Sequence, residues 1–170
     1  AIINTLRFHE APNAIVFANT RATVARLTTR LSNRGFSVVC LSGELSQSER
    51  SHALQAMRDG RARICVATDV AARGLDVDDL SHVLNYTLPD DLEVYIHRSG
   101  RTGRAGKEGV SVTLVTPKEE YRIRQIEKMS GIDVNKSPIP TTEDVVSSQL
   151  NNAITSLQQA TLPEGQFEEQ

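Results

Sequence analysis

Five short runs of β-branched and other apolar residues, separated by stretches of helical periodicity, constrain this chain more than any other feature: 14–18 (AIVFA), 37–41 (SVVCL), 64–67 (ICVA), 82–84 (HVL) and 110–115 (VSVTLV). Strand-length runs joined through helices imply parallel strands with right-handed crossovers, so the expected fold is α/β, an open parallel sheet with helices on both faces. The helix signals fit that frame. Thr20 opens a helix that carries Val24, Leu27 and Leu31 on one face and stops at Gly35. Ser46 and Glu49 form a capping box ahead of Leu54 and Met57, with Gly60 as the stop. Asp90 and Glu93 are expected to cap a short helix through Tyr95 and Ile96. Thr116, Pro117 and Glu119 give a further cap with proline in its preferred first position, and Gly131 ends that helix.

A length of 170 residues is about one domain's worth, and 39% hydrophobic with 24% charged residues suits a packed core. The expected organisation is an α/β domain over 1–136 and an acidic segment over 137–170. Pro138 and Pro140 mark a linker, Thr141 to Asp144 cap a last helix with Val146, Leu150, Ile154 and Leu157 at helical spacing, and the final LPEGQFEEQ is loose. That extra C-terminal helix is expected to pack on the domain, dock a partner or mediate self-association. No apolar run reaches the roughly 18 residues of a membrane span and the first residues lack a secretory layout, so a cytoplasmic location without membrane contact is expected. Cys40 and Cys65 stand alone inside apolar runs, which indicates neither a metal site nor a disulfide framework. An aromatic content of 4% without tryptophan disfavours recognition by stacking several bases.

Charge is unevenly spread. Residues 1–136 hold all 19 Lys and Arg with 16 of the 21 acids, a net +3, whereas the remaining residues hold five acids and no base, a net −5. Arginine outnumbers lysine 15 to 4, which favours phosphate-bearing ligands because the guanidinium fork matches phosphate geometry. In an open parallel sheet ligands bind beyond the carboxyl ends of the strands. Asn19, Thr20 and Arg21 follow the first run, Ser42 and Gly43 the second, and Thr68 and Asp69 the third. Thr20 at a helix start can help hold an anion or act only as a cap, and Gly43 admits a close backbone approach or simply turns the chain. The densest cluster is HRSGRTGR over 97–104, where Arg101 and Arg104 could converge on one trianionic group or remain a solvated loop. A phosphate loop of the form GxxxxGK[ST] is not found: Gly106 and Lys107 are followed by Glu108. The sequence thus describes half of a nucleotide site.

The segments IVFANT (15–20), QSER (47–50), ATDVAARGLDV (67–77) and YIHRSGRTGRAG (95–106) resemble, in order and spacing, four motifs of the C-terminal RecA-like domain of DEAD-box ATP-dependent RNA helicases. The likeness covers about 10–136, and His97 at the head of the arginine motif resembles this branch rather than the related helicases that carry Gln there. It implies that Arg101 and Arg104 are arginine fingers for ATP held mainly by an N-terminal RecA-like domain, which would also hold Mg2+. Asp76 would contact the ribose, with Gly74 near the nucleotide. His97 and Arg98, with Arg73, would couple the nucleotide site to closure between domains. Thr20, Gly43, Arg50, Thr68 and Asp69 would line a path for the RNA backbone, making binding largely independent of base sequence. Ser42, Ser99 and Thr87 depart from the family pattern, where His, an apolar residue and Asp are usual.

Taken singly, these residues have plainer readings. Gln47 and Arg50 fit a solvated helix face, Asp76 a turn beside Asp78 and Asp79, and His97 a satisfied core histidine, while His9, His52 and His82 are expected to be structural. The rival functions are a non-catalytic RNA- or partner-binding module on the same scaffold, a nucleotide-binding regulatory domain, and a DNA helicase of the wider superfamily.

Overall fold

The apolar runs form the strands expected of them. In the computed structural model, which describes residues 1–73, 80–103, 106 and 108–160, they are β1 (Ala14–Phe17), β2 (Val38–Leu41), β3 (Ile64–Ala67), β4 (His82–Asn85) and β5 (Val110–Thr113). All pair in parallel, in the order β2-β3-β1-β4-β5. The three central strands are buried along their whole length, which is why they read as continuous apolar runs rather than alternating ones. Edge strand β5 is half to fully exposed, so it alternates serine and threonine with valine.

The helices follow the capping signals. α2 (Arg21–Ser32) starts at Thr20, whose hydroxyl accepts from the Thr23 N–H at 3.2 Å. α3 (Gln47–Arg58) opens on the full Ser46/Glu49 capping box. α4 is the single turn Asp69–Ala72, capped by Thr68, and α5 spans Leu92–Ser99. The cap of α5 is Asp91 and not Asp90: its Oδ1 accepts the Glu93 N–H at 2.8 Å. A cap acceptor two residues before its donor satisfies the first turn, and Asp90 lies one residue too early to do so. A 3-10 turn over Pro117–Glu119 leads into α6 (Glu120–Ser130), which ends at Gly131 with φ of 71°.

Two layers of helix cover the sheet. Ile15, Phe17, Leu41, Cys65, Ala67 and Val83 face one side, packed with Ala71 and Ala72 of α4 and with Ala53, Leu54 and Met57 of α3. The alternate strand residues Val16, Ile64, Val66 and Leu84 are equally buried and belong to the opposite side, where α2 packs on β2 and β3 through Val24, Leu27 and Leu31. Each such side chain contributes about 1.5–3 kcal/mol by leaving water. A smaller cluster of Leu88, Leu92, Tyr95, Ile123 and Ile126 joins α5 to α6.

Residues Ala11–Lys136 form this α/β unit, and a second unit combines Ala1–Glu10 with the described part of Ser137–Gln170. Within the latter, α1 (Ile2–His9), for which no sequence signal was read, packs against α7 (Thr142–Ala160). Asn4 Nδ2 donates to Pro140 O at 2.9 Å, Ser148 Oγ to Phe8 O at 3.2 Å and Asn152 Nδ2 to Glu10 Oε2 at 2.8 Å. Thr141 and Asp144 cap α7 reciprocally, as expected, and these bonds hold the Asp144 carboxyl below its ordinary range. The apolar spacing of α7 misleads about its seat: Val145 is buried, while Val146, Leu150, Ile154 and Leu157 are 50–67% exposed. Ser148 and Asn152, whose side chains bond α1 and its C-cap Glu10, lie on a polar part of the helix that hydrophobic spacing does not register. Among the described residues no helix is long and apolar enough to cross a membrane.

The loop after α5 returns to the sheet through an isolated parallel bridge between Leu80 and Thr102, and Gly103 follows with φ of 67°. Gly109, which leads into β5, lies so close that an added Cβ would come within 2.3 Å of both Gly103 N and Thr102 Oγ1. Gly109→Ala should therefore destabilise the chain by about 1–3 kcal/mol, with the loop displaced. Urea unfolding of the variant checks this, and an unchanged midpoint would refute the close approach.

Candidate functional site

A parallel sheet with helical crossovers sends every helix away from the carboxyl ends of the strands. Their N-terminal caps and unpaired N–H groups therefore gather along one edge. Thr20, Ser46, Thr68 and Asp91 are the four caps there. Thr20 and Gly43 are exposed, and the space around Gly43 Cα is open, so backbone on this edge is accessible to a ligand. Arg21 pairs with Glu44 at 2.9 Å, both well exposed, a contact of little energetic weight. Arg50, half-buried on α3, donates through Nη2 to Ala71 O and so ties the start of α3 to the end of α4.

Arg98 is the organising side chain of this edge. It is 2% exposed, among the largest fully buried side chains, and every one of its five N–H donors has an acceptor. Nε and Nη2 grip Asp69 Oδ1 and Oδ2, both at 2.6 Å. Nη2 also donates to Asn19 Oδ1 at 2.8 Å, and Nη1 donates to Asn85 Oδ1 at 3.1 Å and Thr87 O at 2.8 Å. The guanidinium carbon lies 5.1 Å from the centroid of the Phe17 ring. One side chain of α5 thus fastens the segments that follow β1, β3 and β4. Asn19 completes the lattice by donating Nδ2 to Leu88 O at 3.1 Å, while its backbone N–H bonds Thr87 Oγ1 at 2.9 Å. Thr87, one of the departures from the family pattern, is here a hydroxyl acceptor. Arg98 therefore faces one carboxylate, that of Asp69. Asn85 was missed in the sequence. The available signal was a polar residue closing the apolar run HVL, and it is 0% exposed.

The arginine segment reaches a different place. The Arg101 N–H donates to Arg98 O at 3.2 Å, and its carbonyl accepts from Leu80 N at 3.3 Å. Thr102 Oγ1 bonds Leu80 O and, at 3.1 Å, Ser81 O. Leu80 and Ser81 lead into β4, so Arg101 stands half-buried near the amino end of that strand, away from the row of caps. Leu80, to which Arg101 bonds, adjoins in sequence the segment that carries Gly74 and Asp76; these two residues and Arg104 lie outside the described residues. Arg73 is exposed at the end of α4, its N–H bonded to Asp69 O. His97 is not a core histidine: its side chain is 71% exposed, 3.9 Å from Glu93.

Burial pushes the Cys65 thiol up to about 12, with Cys40 adding to the shift, which makes Cys65 a poor nucleophile. Among the described residues no group of three or more His, Cys, Asp or Glu is placed to hold a metal ion.

Because removing one member of a buried ion pair strands the other, Arg98→Met should cost about 3–5 kcal/mol. Arg98→Lys should recover only a minor part, since an ammonium cannot reach acceptors on three segments from one point. Urea denaturation of the 170-residue chain measures both, and a loss below about 1 kcal/mol for Arg98→Met would show that the lattice is dispensable.

Comparison with known proteins fits this geometry. The family model described as the helicase conserved C-terminal domain matches residues 1–106. The chain is 41% identical over 160 residues to the ATP-dependent RNA helicase DeaD of Mycobacterium tuberculosis, covering 94% of this chain and 28% of that protein. It thus spans about a quarter to a third of the length of the curated relatives it matches. Among solved structures, the E. coli DEAD-box protein SrmB bound to the regulator of ribonuclease activity A superposes with a TM-score of 0.69, at 34% identity and 84% and 85% coverage of the two chains. S. cerevisiae Dbp5 bound to RNA and ADP BeF3 gives a TM-score of 0.74 at 31% identity, over 90% of this chain and 41% of that one. The parallel sheet, the row of caps and the arginine segment below β4 are accordingly those of a RecA-like helicase C-terminal domain, and the chain belongs to the DEAD-box family of RNA helicases.

Proposed function

We propose that this chain is the C-terminal lobe of an ATP-dependent RNA helicase, contributing half of a nucleotide site and half of an RNA site to a two-lobed protein. The observation that carries the reading is the placement of α5. Arg98, near its end, grips the edge where the caps gather, and the chain emerging from that end carries Arg101 to the amino side of β4. One eight-residue helix therefore spans both loci.

ATP supplies a γ-phosphoryl group whose transfer spreads negative charge over its oxygens. Arg101 and Arg104 donate to that charge, which a preorganised guanidinium pair stabilises more in the transition state than before it. Asp76 accepts from the ribose hydroxyls with Gly74 beside it. The N-terminal RecA-like lobe holds the phosphates and Mg2+. His97, exposed on α5, and Arg73, at the end of α4, face the other lobe as it closes. Arg98 has all five donors engaged, so it couples the two loci by holding Asp69 and Asn19 in place rather than by crossing to the other lobe.

RNA lies along the caps. The N–H groups behind Thr20 and Thr68, the open backbone at Gly43 and the remaining donors of Arg50 contact sugar and phosphate, and no base-reading side chain is needed. Asp69 is an anion on this path. Its bidentate bond to Arg98 neutralises it, which leaves its backbone at the start of α4 open to phosphate. That Dbp5 has been solved with RNA and a nucleotide analogue supports the same division of labour. The protein partner of SrmB in its structure supports a docking role for lobes of this kind.

In the full-length protein, Arg101→Ala should lower RNA-stimulated ATP hydrolysis about a thousandfold while RNA affinity changes less than about twofold. An unchanged hydrolysis rate removes the finger assignment. The 170-residue chain by itself should release no phosphate from ATP in the presence of RNA, and steady turnover by the purified chain would overturn the half-site reading.

A further inference from the structure

The outer face of α2 and the turn after it carry a row of cations that the proposed site does not use. Arg26, Arg30 and Arg34 recur at four-residue spacing and, with Ala25, Thr29 and Asn33, line one shallow groove. All three arginines are exposed. α2 has Arg21, Arg26 and Arg30 and no acidic residue, and the groove has no carboxylate in its lining. Like charges four apart on a helix repel, so Arg26 and Arg30 oppose the helix that bears them. A cation in or just past the last turn is favoured by the terminal carbonyls, which accounts for Arg30 and Arg34 but not for Arg26.

We infer that this groove is a second track for the RNA phosphate backbone, continuing the edge site down the outside of α2. The inference rests on reading the carboxyl edge as the RNA site. Three features select RNA over an acidic protein segment. The lining offers Ala25 as its only apolar side chain, so there is no pocket for the apolar or aromatic anchors on which protein interfaces depend. The charged groups are all arginine, whose planar fork grips phosphate in two bonds, with Thr29 and Asn33 between them as hydroxyl and amide partners for sugar and phosphate. The row is also continuous with the edge: Thr20 caps the same helix, Arg26 follows it by about 9 Å along the axis and Arg30 by about 6 Å more, with Arg34 just past the helix end. An RNA strand leaving the caps would meet the next arginine within reach of its neighbouring phosphates. The contact reads charge and backbone, so it extends the footprint without adding base preference.

The test compares the 170-residue chain with its triple variant Arg26→Gln, Arg30→Gln, Arg34→Gln. Gln is a good helix former, and far-ultraviolet circular dichroism checks that α2 is kept. Binding is followed by fluorescence anisotropy with labelled oligouridylates of about six and about thirty nucleotides across a salt series. The triple variant should bind the long RNA roughly tenfold more weakly, and the slope of log affinity against log salt should fall by about 2, three phosphate contacts at ~0.7 each. The short RNA, which the edge alone accommodates, should be unaffected. Replacing the same three residues with Lys should restore most of the slope. An unchanged slope and affinity on the long RNA overturns the track, as does displacement of that RNA by polyglutamate of matched charge as effective as displacement by unlabelled RNA. Arg50→Ala separates the two readings: it should weaken the short RNA, and if it does not while the triple variant still loses slope, the edge reading fails and the α2 track stands.

Discussion

The guanidinium of Arg98 is the constraint on which the working edge of this protein depends. Burying a cation at 2% exposure is unfavourable unless its charge is compensated and every donor is met, and here a bidentate carboxylate, two side-chain amides and a backbone carbonyl do both. The arrangement is directional. A guanidinium fixes its five donors in one plane, so acceptors on the segments after β1, β3 and β4 must also lie near that plane. Loops that would otherwise vary independently are set relative to one another and to α5. Asn19 sits next to the Thr20 cap and Asp69 next to the Thr68 cap, so orienting the acceptors orients the helix N-termini that the proposed RNA site uses.

The same bond network explains how two distant loci can act as one. α5 is short, about 12 Å, and is pinned near its end by Arg98 and at its side by the cluster of Leu88, Tyr95 and Ile126. Its exit is pinned again, by the Leu80 to Thr102 bridge and by the close passage of Gly109 against Gly103. A helix held along its side and at its C-terminal end transmits a displacement as a rigid body instead of dissipating it in rotamers. Under the proposed function, a shift of Arg101 on engaging nucleotide reaches Asp69 and Asn19 through one element, and RNA seated on the caps biases Arg101 by the same route. Coupling of this kind is reciprocal: what RNA does for nucleotide binding, nucleotide does for RNA binding.

Local chemistry was legible in the sequence and global placement was not. All five strands, the Ser46/Glu49 and Thr116/Glu119 boxes and the left-handed Gly131 stop depend on residues within a few positions of each other, and each stands where its own neighbours put it. The family likeness likewise rested on contiguous motifs. What escaped was set by contacts between segments far apart in the chain. α1 has no cap side chain and owes its place to packing on α7, 140 positions away at Ser148 and Phe8. The face that α7 turns to α1, set by Ser148 and Asn152, could not be read from its apolar spacing. Arg98 and His97, adjacent in one motif, have opposite surroundings, one buried and one 71% exposed, and only the packing of α5 decides which is which.

Under the proposed function, sequence-independent recognition follows from how this edge is built. The groups offered to a strand are backbone N–H donors at helix starts, cap hydroxyls and the open chain at Gly43, and none of these can distinguish one base from another. The chain has 4% aromatic residues and no tryptophan, so it has little with which to stack bases. Affinity then has to come from the number of phosphates engaged, and the number of strands in the sheet limits how many caps one edge can present. The cationic groove of α2 answers that limit by lengthening the backbone contact, at the cost of like-charge repulsion within a single helix. An acid on the solvent face of α2 would relieve the repulsion and strengthen the fold, but it would close the groove to phosphate; the twelve residues of the helix contain none.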